Sequence, residues 1–258
     1  MKAQRYFLKL SYKGTHFFGW QIQPNAITVQ EKLNEALQKL NRGTAVKTTG
    51  CGRTDTGVHA SDFYVHFDLD INLDEETFKF KLNCMLPRSI AILAVYKVPS
   101  DLHARFSATS RTYHYFIHTE KNPFLEEESW LLPNFLNIEE MNRACELLLE
   151  QKNFKCFSKT ITELSSFECD VTQAKWTKSE TGYSFTITAN RFLRNMVRAI
   201  VGTTVEVGKG NKTVADFQSI LASQNRELAG KSAPAHGLFL TKVAYKNDES
   251  AFFYVEKT

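Results

Sequence analysis

Apolar residues in this chain recur with two different periods, and the periods alternate along its length. In TVQEKLNEALQKLN, Val29, Leu33, Leu37 and Leu40 fall on one helical face; from Phe63 to Asp68, Phe63, Val65 and Phe67 alternate with Tyr64, His66 and Asp68 as in a strand. A chain that keeps switching between these patterns is most economically read as sheets accompanied by helices.

The switches can be placed. Gln4 to Ser11 reads as a strand, followed by a polar, glycine-punctuated segment, THFFGWQIQPNA. Thr28 is then an N-cap with Glu31 three residues on, which opens a helix. Val46 to Thr49 predicts a short strand, Asp74 caps a helix running to about Cys84, and Ile90 to Val98 forms a strand after Pro87. The outline then recurs: a strand over Arg111 to His118, a helix over Asn137 to Glu150, and a hairpin of Cys169 to Trp176 with Tyr183 to Ala189 around Glu180 to Gly182. Helices over Arg191 to Thr204 and Thr213 to Leu221 precede closing strands, Gly237 to Tyr245 and Phe252 to Val255. This pattern predicts an α+β protein of two similar domains, residues 1–104 and 105–258, with antiparallel sheets flanked by helices. No low-complexity linker separates the halves, so a cleft between them is the expected site.

Composition narrows the function classes. No run of the roughly 18 apolar residues needed to span a membrane occurs, and MKAQRYFLKLSYKG lacks the apolar stretch of a signal peptide; a soluble cytoplasmic protein without membrane contact is expected. Cys51, Cys84, Cys145, Cys156 and Cys169 are far apart with no C-x-x-C pair, which predicts reduced, mostly buried thiols. Residues 1–60 carry 9 Lys and Arg against 3 Asp and Glu, residues 181–212 carry 5 against 1, and residues 121–180 carry 7 against 11. Two basic segments separated by an acidic one suit a face turned to a polyanion.

The segment GCGRTDTGVHA is the least core-like in the first half, yet apolar strands flank it. Its glycines bracket Arg53 and Asp55, so it can be a preorganised turn presenting one carboxylate beside a guanidinium. An ordinary aspartate is ionised at neutral pH, and a cation about 4 Å away contributes about 4 kcal/mol at an effective dielectric of about 20, before desolvation. Such a carboxylate can serve as nucleophile or base; an Asx-turn with a surface ion pair is the plainer reading. Gly52 to Gly57 is followed by Val58 rather than the Lys of a phosphate-binding loop, and no G-x-G-x-x-G opens a helix. Asp55 has no acidic companion in its turn for paired-carboxylate glycoside hydrolysis, although Asp62 can approach it in space. His114 and His118 share a strand face, but no further His, Cys or acidic cluster joins them, which disfavours a metal site.

In the second half Tyr113 and Tyr115 share one strand face, either as a core-facing pair or with Tyr113 free to stack on a base. Arg191, Arg194 and Arg198 are expected along one helix, as a solvated basic face or as contacts to an RNA backbone.

At these residues the chain resembles the TruA family of tRNA pseudouridine synthases. The matches are Tyr12, Gly14, Thr15, Phe17, Gly19, Trp20, Gln21 and Gln23; Thr28-Val29-Gln30; Gly52-Arg53-Thr54-Asp55 with Gly57-Val58-His59-Ala60; Phe106-Ser107-Ala108 with Arg111-Thr112-Tyr113; Met196-Val197-Arg198; and Gly237-Leu238-Phe239-Leu240. They run in family order from about residue 5 to about residue 245. The resemblance implies the pseudouridine synthase fold and a homodimer, acting without cofactor or metal on uridines at positions 38 to 40 of the tRNA anticodon stem-loop. It also implies that Asp55 is the catalytic aspartate, Tyr113 the active-site tyrosine, Arg198 the arginine paired with the aspartate and Leu238 an apolar wall. Arg53 then holds or steers the flipped nucleotide; for Arg191 and Arg194 it is their charge that suggests RNA contact, the family match being weaker at Arg194-Asn195. Asp55 can attack C6, attack C1′, or abstract a sugar proton, and the residues do not discriminate among these. A noncatalytic RNA-binding protein and an RNA uridine glycosidase are the competing readings.

Overall fold

The computed structural model describes residues 3–159 and 166–246. The expected strand Phe252 to Val255 lies outside them. The chain divides into two compact units, one formed by the chain through Thr109 together with the chain from Leu240, the other by Ser110–Phe239. Both combine sheet and helix, as the mixed periodicity requires.

In the first unit, β1 (Gln4–Tyr12) lies between β3 (His59–Leu69) and β4 (Ile90–Val98), antiparallel to both. The short β2 (Thr49–Gly50) pairs with β3, whose other neighbour is β9 (Leu238–Tyr245). Two helices accompany the sheet. For α1 (Val29–Leu40), Thr28 and Glu31 form the expected reciprocal capping box, which contributes about 1 kcal/mol. Asp74 caps α2 (Glu75–Met85) by accepting from the Thr77 backbone N–H.

The alternation in β3 suggested one wet face. Only Asp68 and Ser61 are exposed, however, and Tyr64 and His66 are buried along with Phe63, Val65 and Phe67. Tyr64 meets Tyr245 edge-on at 5.3 Å, and His66 stacks on Phe7 at 6.0 Å, so the polar-looking face is covered by aromatic rings. The strand expected over Val46 to Thr49 contracts to Thr49–Gly50; Val46 and Thr48 are buried, but outside the ladder.

The second unit is built on β5 (Ala108–His118), β8 (Gly182–Ala189) and β7 (Val171–Lys178), paired antiparallel in that order. The short β6 (Trp130–Leu131) runs parallel to β5. Asn137 caps α3 (Ile138–Glu150), and Thr213 with Asp216 forms a capping box for α5 (Val214–Ser223). Almost every side of α4 (Met196–Gly208) is buried, including Thr203 and Thr204. Those hydroxyls are satisfied inside the helix, with Thr203 Oγ1 donating to Ala199 O and Thr204 Oγ1 to Ile200 O. Thr204 Oγ1 also accepts from the indole of Trp176, which stacks on Phe185 at 5.0 Å.

One helix boundary differs from expectation. The helix predicted from Arg191 begins at Met196, because Asn195 takes left-handed backbone angles with φ 66° and breaks the run. Arg191 and Arg194 therefore precede the helix, and only Arg198 of the three lies on it.

Candidate active site

The Asp55 loop is assembled from its neighbours inward. Cys51 enters it from β2 and is buried, its N–H donating to Tyr64 O at 2.8 Å, and His59 leaves it at the start of β3. Between them the loop has little regular structure of its own and is held from outside. The N–H of Trp20 donates to Thr54 O at 3.3 Å, and that of Gly57 donates to Phe17 O at 3.2 Å. Tyr12 and Thr54 share a hydroxyl–hydroxyl bond of 2.9 Å, and the Gly14 N–H donates to His59 Nδ1 at 3.0 Å. The bracing segment is itself tied to the start of α1, because Val29 N–H donates to Gly19 O and Gln30 N–H to Trp20 O.

Two glycines make this approach feasible. A Cβ on Gly14 would collide with the Val58 carbonyl, and one on Gly19, whose φ is +84°, would collide with the Thr54 carbonyl. The polar segment after β1, which the sequence left without a role, is thus the scaffold of the Asp55 turn. Its signal was the pair of glycines around an aromatic cluster, since Trp20 packs on Phe63 at 4.3 Å and on Tyr12 at 6.3 Å.

On this braced turn Asp55 is half-buried and Arg53 is exposed. Asp62 is no companion for it. Its Oδ2 accepts from the Val243 N–H at 2.8 Å and its Oδ1 faces Lys9 Nζ at 3.3 Å, so its carboxylate serves the sheet.

The remaining expected site residues lie in the second unit. Tyr113 and Tyr115 do share a face of β5, but their surroundings differ. Tyr115 is fully buried and donates its hydroxyl to Pro234 O at 2.9 Å; burial pushes its pKa well up, so it stays a protonated core residue. Tyr113 is only half-buried and meets the edge of Phe192 at 5.1 Å, which brings the segment ahead of α4 onto β5.

Arg198 is half-buried in the first turn of α4, where its Nε donates to Ala233 O at 2.7 Å and its carbonyl accepts from the Ala233 N–H at 2.9 Å. Asn195 Nδ2 donates to Ser232 Oγ at 2.6 Å, so the irregular segment that holds Ser232 and Ala233 fixes the start of the helix at both Asn195 and Arg198. Leu238 is buried at the start of β9, while Arg191 is half-buried and Arg194 exposed.

The buried thiols Cys156 and Cys169 are poor nucleophiles. Burial pushes Cys156 up to about 12 and Cys169 up to about 11, leaving both protonated at neutral pH. Among the described residues no group of three or more His, Cys, Asp and Glu side chains is placed to hold a metal ion. Nor is any described helix long and apolar enough to cross a membrane.

A half-buried aspartate on a glycine-braced turn is an arrangement that can be compared with known proteins. The family model described as tRNA pseudouridine synthase matches residues 10–107 and 144–246, spanning both the Asp55 loop and the Arg198 helix. The chain belongs to that family. Curated relatives named tRNA pseudouridine synthase A include one from Bacteroides thetaiotaomicron, 48% identical over 95% of this chain and 92% of its own, and one from Bacteroides fragilis, 47% identical over 96% and 99%. A relative from Geobacillus kaustophilus with the same name is 38% identical over 95% of this chain and 96% of its own.

For a tRNA pseudouridine synthase, the division of residues between the units is informative. Of the expected site residues, Asp55 and Arg53 lie in the first unit, and the half-buried Tyr113 and Arg198 and the buried Leu238 lie in the second. The expected row of three arginines on one helix face is replaced by one helical arginine behind a turn that carries the other two.

Proposed function

We propose that this tRNA pseudouridine synthase acts on uridines at positions 38 to 40 of the anticodon stem-loop, with Asp55 as the group that reacts with the flipped nucleotide. The reaction breaks the bond from N1 to C1′, turns the base and joins C1′ to C5. The proton lost from C5 is balanced by one gained at N1, so the mass is constant. Asp55 can drive this by adding to C1′, by adding to C6, or by abstracting a sugar proton to give a glycal; each leaves the carboxylate free at the end of the cycle. The observation that carries the reading is the bracing of Asp55: an ionisable group held by backbone contacts from a second loop is prepositioned for a reacting atom.

The other roles in the pocket are those the family resemblance implies, supported by the chemistry of each side chain. Arg198 pairs with the carboxylate and keeps it ionised once water is displaced, while Arg53, exposed beside it, steers the nucleotide. Tyr113 stacks on the detached uracil; a tyrosine hydroxyl is a weak base near neutral pH, which makes stacking its main task. Leu238 walls the pocket and excludes water that would trap the intermediate. Arg191 and Arg194 neutralise phosphates of the RNA. On this reading the two units are similar domains whose site residues meet in one cleft, and the protein works in the cytoplasm as a homodimer without cofactor.

Incubation with unmodified tRNA, followed by single-nucleotide mapping, tests the proposal. Pseudouridine at positions 38 to 40 with no free uracil is the expected result. Release of uracil would mark a glycosidase, and bound but unchanged RNA would mark a noncatalytic binder.

A further inference from the structure

The turn Leu102–Ser107 in the first unit is bonded at nearly every residue, yet it displays a large apolar ring to solvent. Leu102 O accepts from Arg5 Nη1 at 3.0 Å, and the same guanidinium holds Asp68 through Nε and Nη2 at 2.8 Å each. The His103 N–H donates to Ser107 Oγ and the Ser107 N–H donates back to His103 O, both at 2.9 Å. His103 Nδ1 accepts from two successive N–H groups, Arg105 at 3.1 Å and Phe106 at 3.2 Å. The buried Ala104 donates its N–H to His66 Nδ1 at 3.1 Å, and its carbonyl accepts from the Tyr245 hydroxyl at 2.8 Å.

Phe106 is 77% exposed at the tip of this turn. Its ring stacks on His103 at 4.4 Å with an interplanar angle of 30°, and the Arg105 guanidinium lies 5.6 Å from its centroid. Singly exposed rings are ordinary on a protein surface, and Phe124 and Phe135 are more exposed than Phe106; what sets Phe106 apart is the bonded turn beneath it and the imidazole and guanidinium against its ring. Because its neighbours are an imidazole, a guanidinium and a hydroxyl, the rim is polar and cationic. That rim mismatches an apolar protein face and complements a partner offering both a π-face and negative charge.

We propose that Phe106, with Arg105 beside it, is a stacking platform for an unpaired base of the RNA substrate. The identity of the ligand rests on the tRNA activity proposed above; the platform itself rests on the geometry of the turn. The base lies against the exposed ring, the His103 ring backs that ring, and Arg105 meets the adjoining phosphate. Ordering is already complete in the free protein, so little entropy is lost when the base arrives.

Phe106→Ala, Phe106→Leu and Phe106→Trp separate stacking from mere apolar contact. The measurement is tRNA affinity by titration at two salt concentrations, together with thermal midpoint and sedimentation. The platform predicts that Ala and Leu weaken binding by about five- to a hundredfold, the range expected for one base stacked on one aromatic, while Trp stays within about twofold of the parent. Thermal midpoints stay unchanged, and Arg105→Gln lowers the salt slope by about 1. Wild-type affinity in the Leu variant overturns the idea, as does wild-type affinity in the Ala variant while the parent still converts uridine; the latter leaves the activity standing. A smaller sedimenting species in the Ala variant assigns the ring to a second copy of the chain, and a lowered thermal midpoint assigns it to folding. A parent protein that binds no tRNA overturns the platform and the activity together.

Discussion

The two turns to which the proposal gives charged roles present their side chains differently, a half-buried carboxylate on one and an exposed guanidinium on the other. The Asp55 turn is gripped across more than thirty residues of intervening chain by backbone contacts from the segment after β1, contacts close enough to exclude side chains at Gly14 and Gly19. The backbone of the Arg191–Asn195 turn is also held, by Phe192 against Tyr113, by the Lys159 N–H donating to Arg194 O at 3.1 Å and by Asn195 on Ser232, but the Arg194 side chain projects into solvent. The difference matches the tasks assigned to them. A reacting carboxylate must be placed to within a fraction of an ångström, whereas a cation facing phosphates acts over a Debye length of about 8 Å and tolerates motion.

If the carboxylate end of this comparison is right, Asp55→Asn gives the largest effect. Pseudouridine formation should fall below detection in a purified variant while tRNA affinity stays within about twofold; measurable multiple turnover would break the assignment. The brace comes next. Gly14→Ala must push the Val58 carbonyl aside, so it should cost about 1–3 kcal/mol of stability by denaturant titration and lower kcat as the turn shifts. A variant with parental stability and turnover would show that the turn needs no such grip.

Much of this contrast was legible in the sequence, but unevenly. Caps at Thr28 and Asp74 are local, bonding groups three residues on, and both stand where the pattern placed them; Asn137 and Thr213, read as the first helical residues, are likewise caps. The strands β4 and β8 likewise follow from alternation between turn residues. What stayed hidden depends on partners distant in sequence. The burial of Tyr64 and His66 needs Tyr245 and Phe7, and the meaning of Gly14 needs Val58. The start of α4 was misplaced because apolar spacing continues through Phe192 and Leu193 while the left-handed Asn195 interrupts the backbone. For the site, Asp55 and Arg53 were visible as an oppositely charged pair among glycines. Their scaffold was not, nor was the fact that only one of the neighbouring tyrosines is core.

A smaller effect concerns pH. Burial lowers the pKa of His66 from 6.5 to about 4, and it lowers that of His103 as well; Arg5 adds to both shifts. The unfolded chain therefore takes up these protons before the folded one does. Stability from the neutral rings is complete above about 6.5 and is lost as pH falls towards about 4. Thermal midpoints measured from neutral pH downwards should decline through that window, and His66→Asn should flatten the decline. An equally steep decline in the variant would place the titration elsewhere.

The smallest effects are expected at the basic turn. Arg191→Ala and Arg194→Ala should each weaken tRNA binding a few-fold and lower the salt slope by about 1, with catalysis on bound RNA unchanged. A large loss of turnover on saturating tRNA would show that these side chains are placed as tightly as Asp55, erasing the contrast.

The most direct test keeps the charge and moves it. Asp55→Glu retains a carboxylate on the same turn but extends it by one methylene, and single-turnover conversion of saturating tRNA reads the consequence. A carboxylate whose position is set by the brace predicts a loss of about a hundredfold or more with binding intact. Conversion near the parental rate would contradict it, because a group that can be moved that far without effect is not held in place to react.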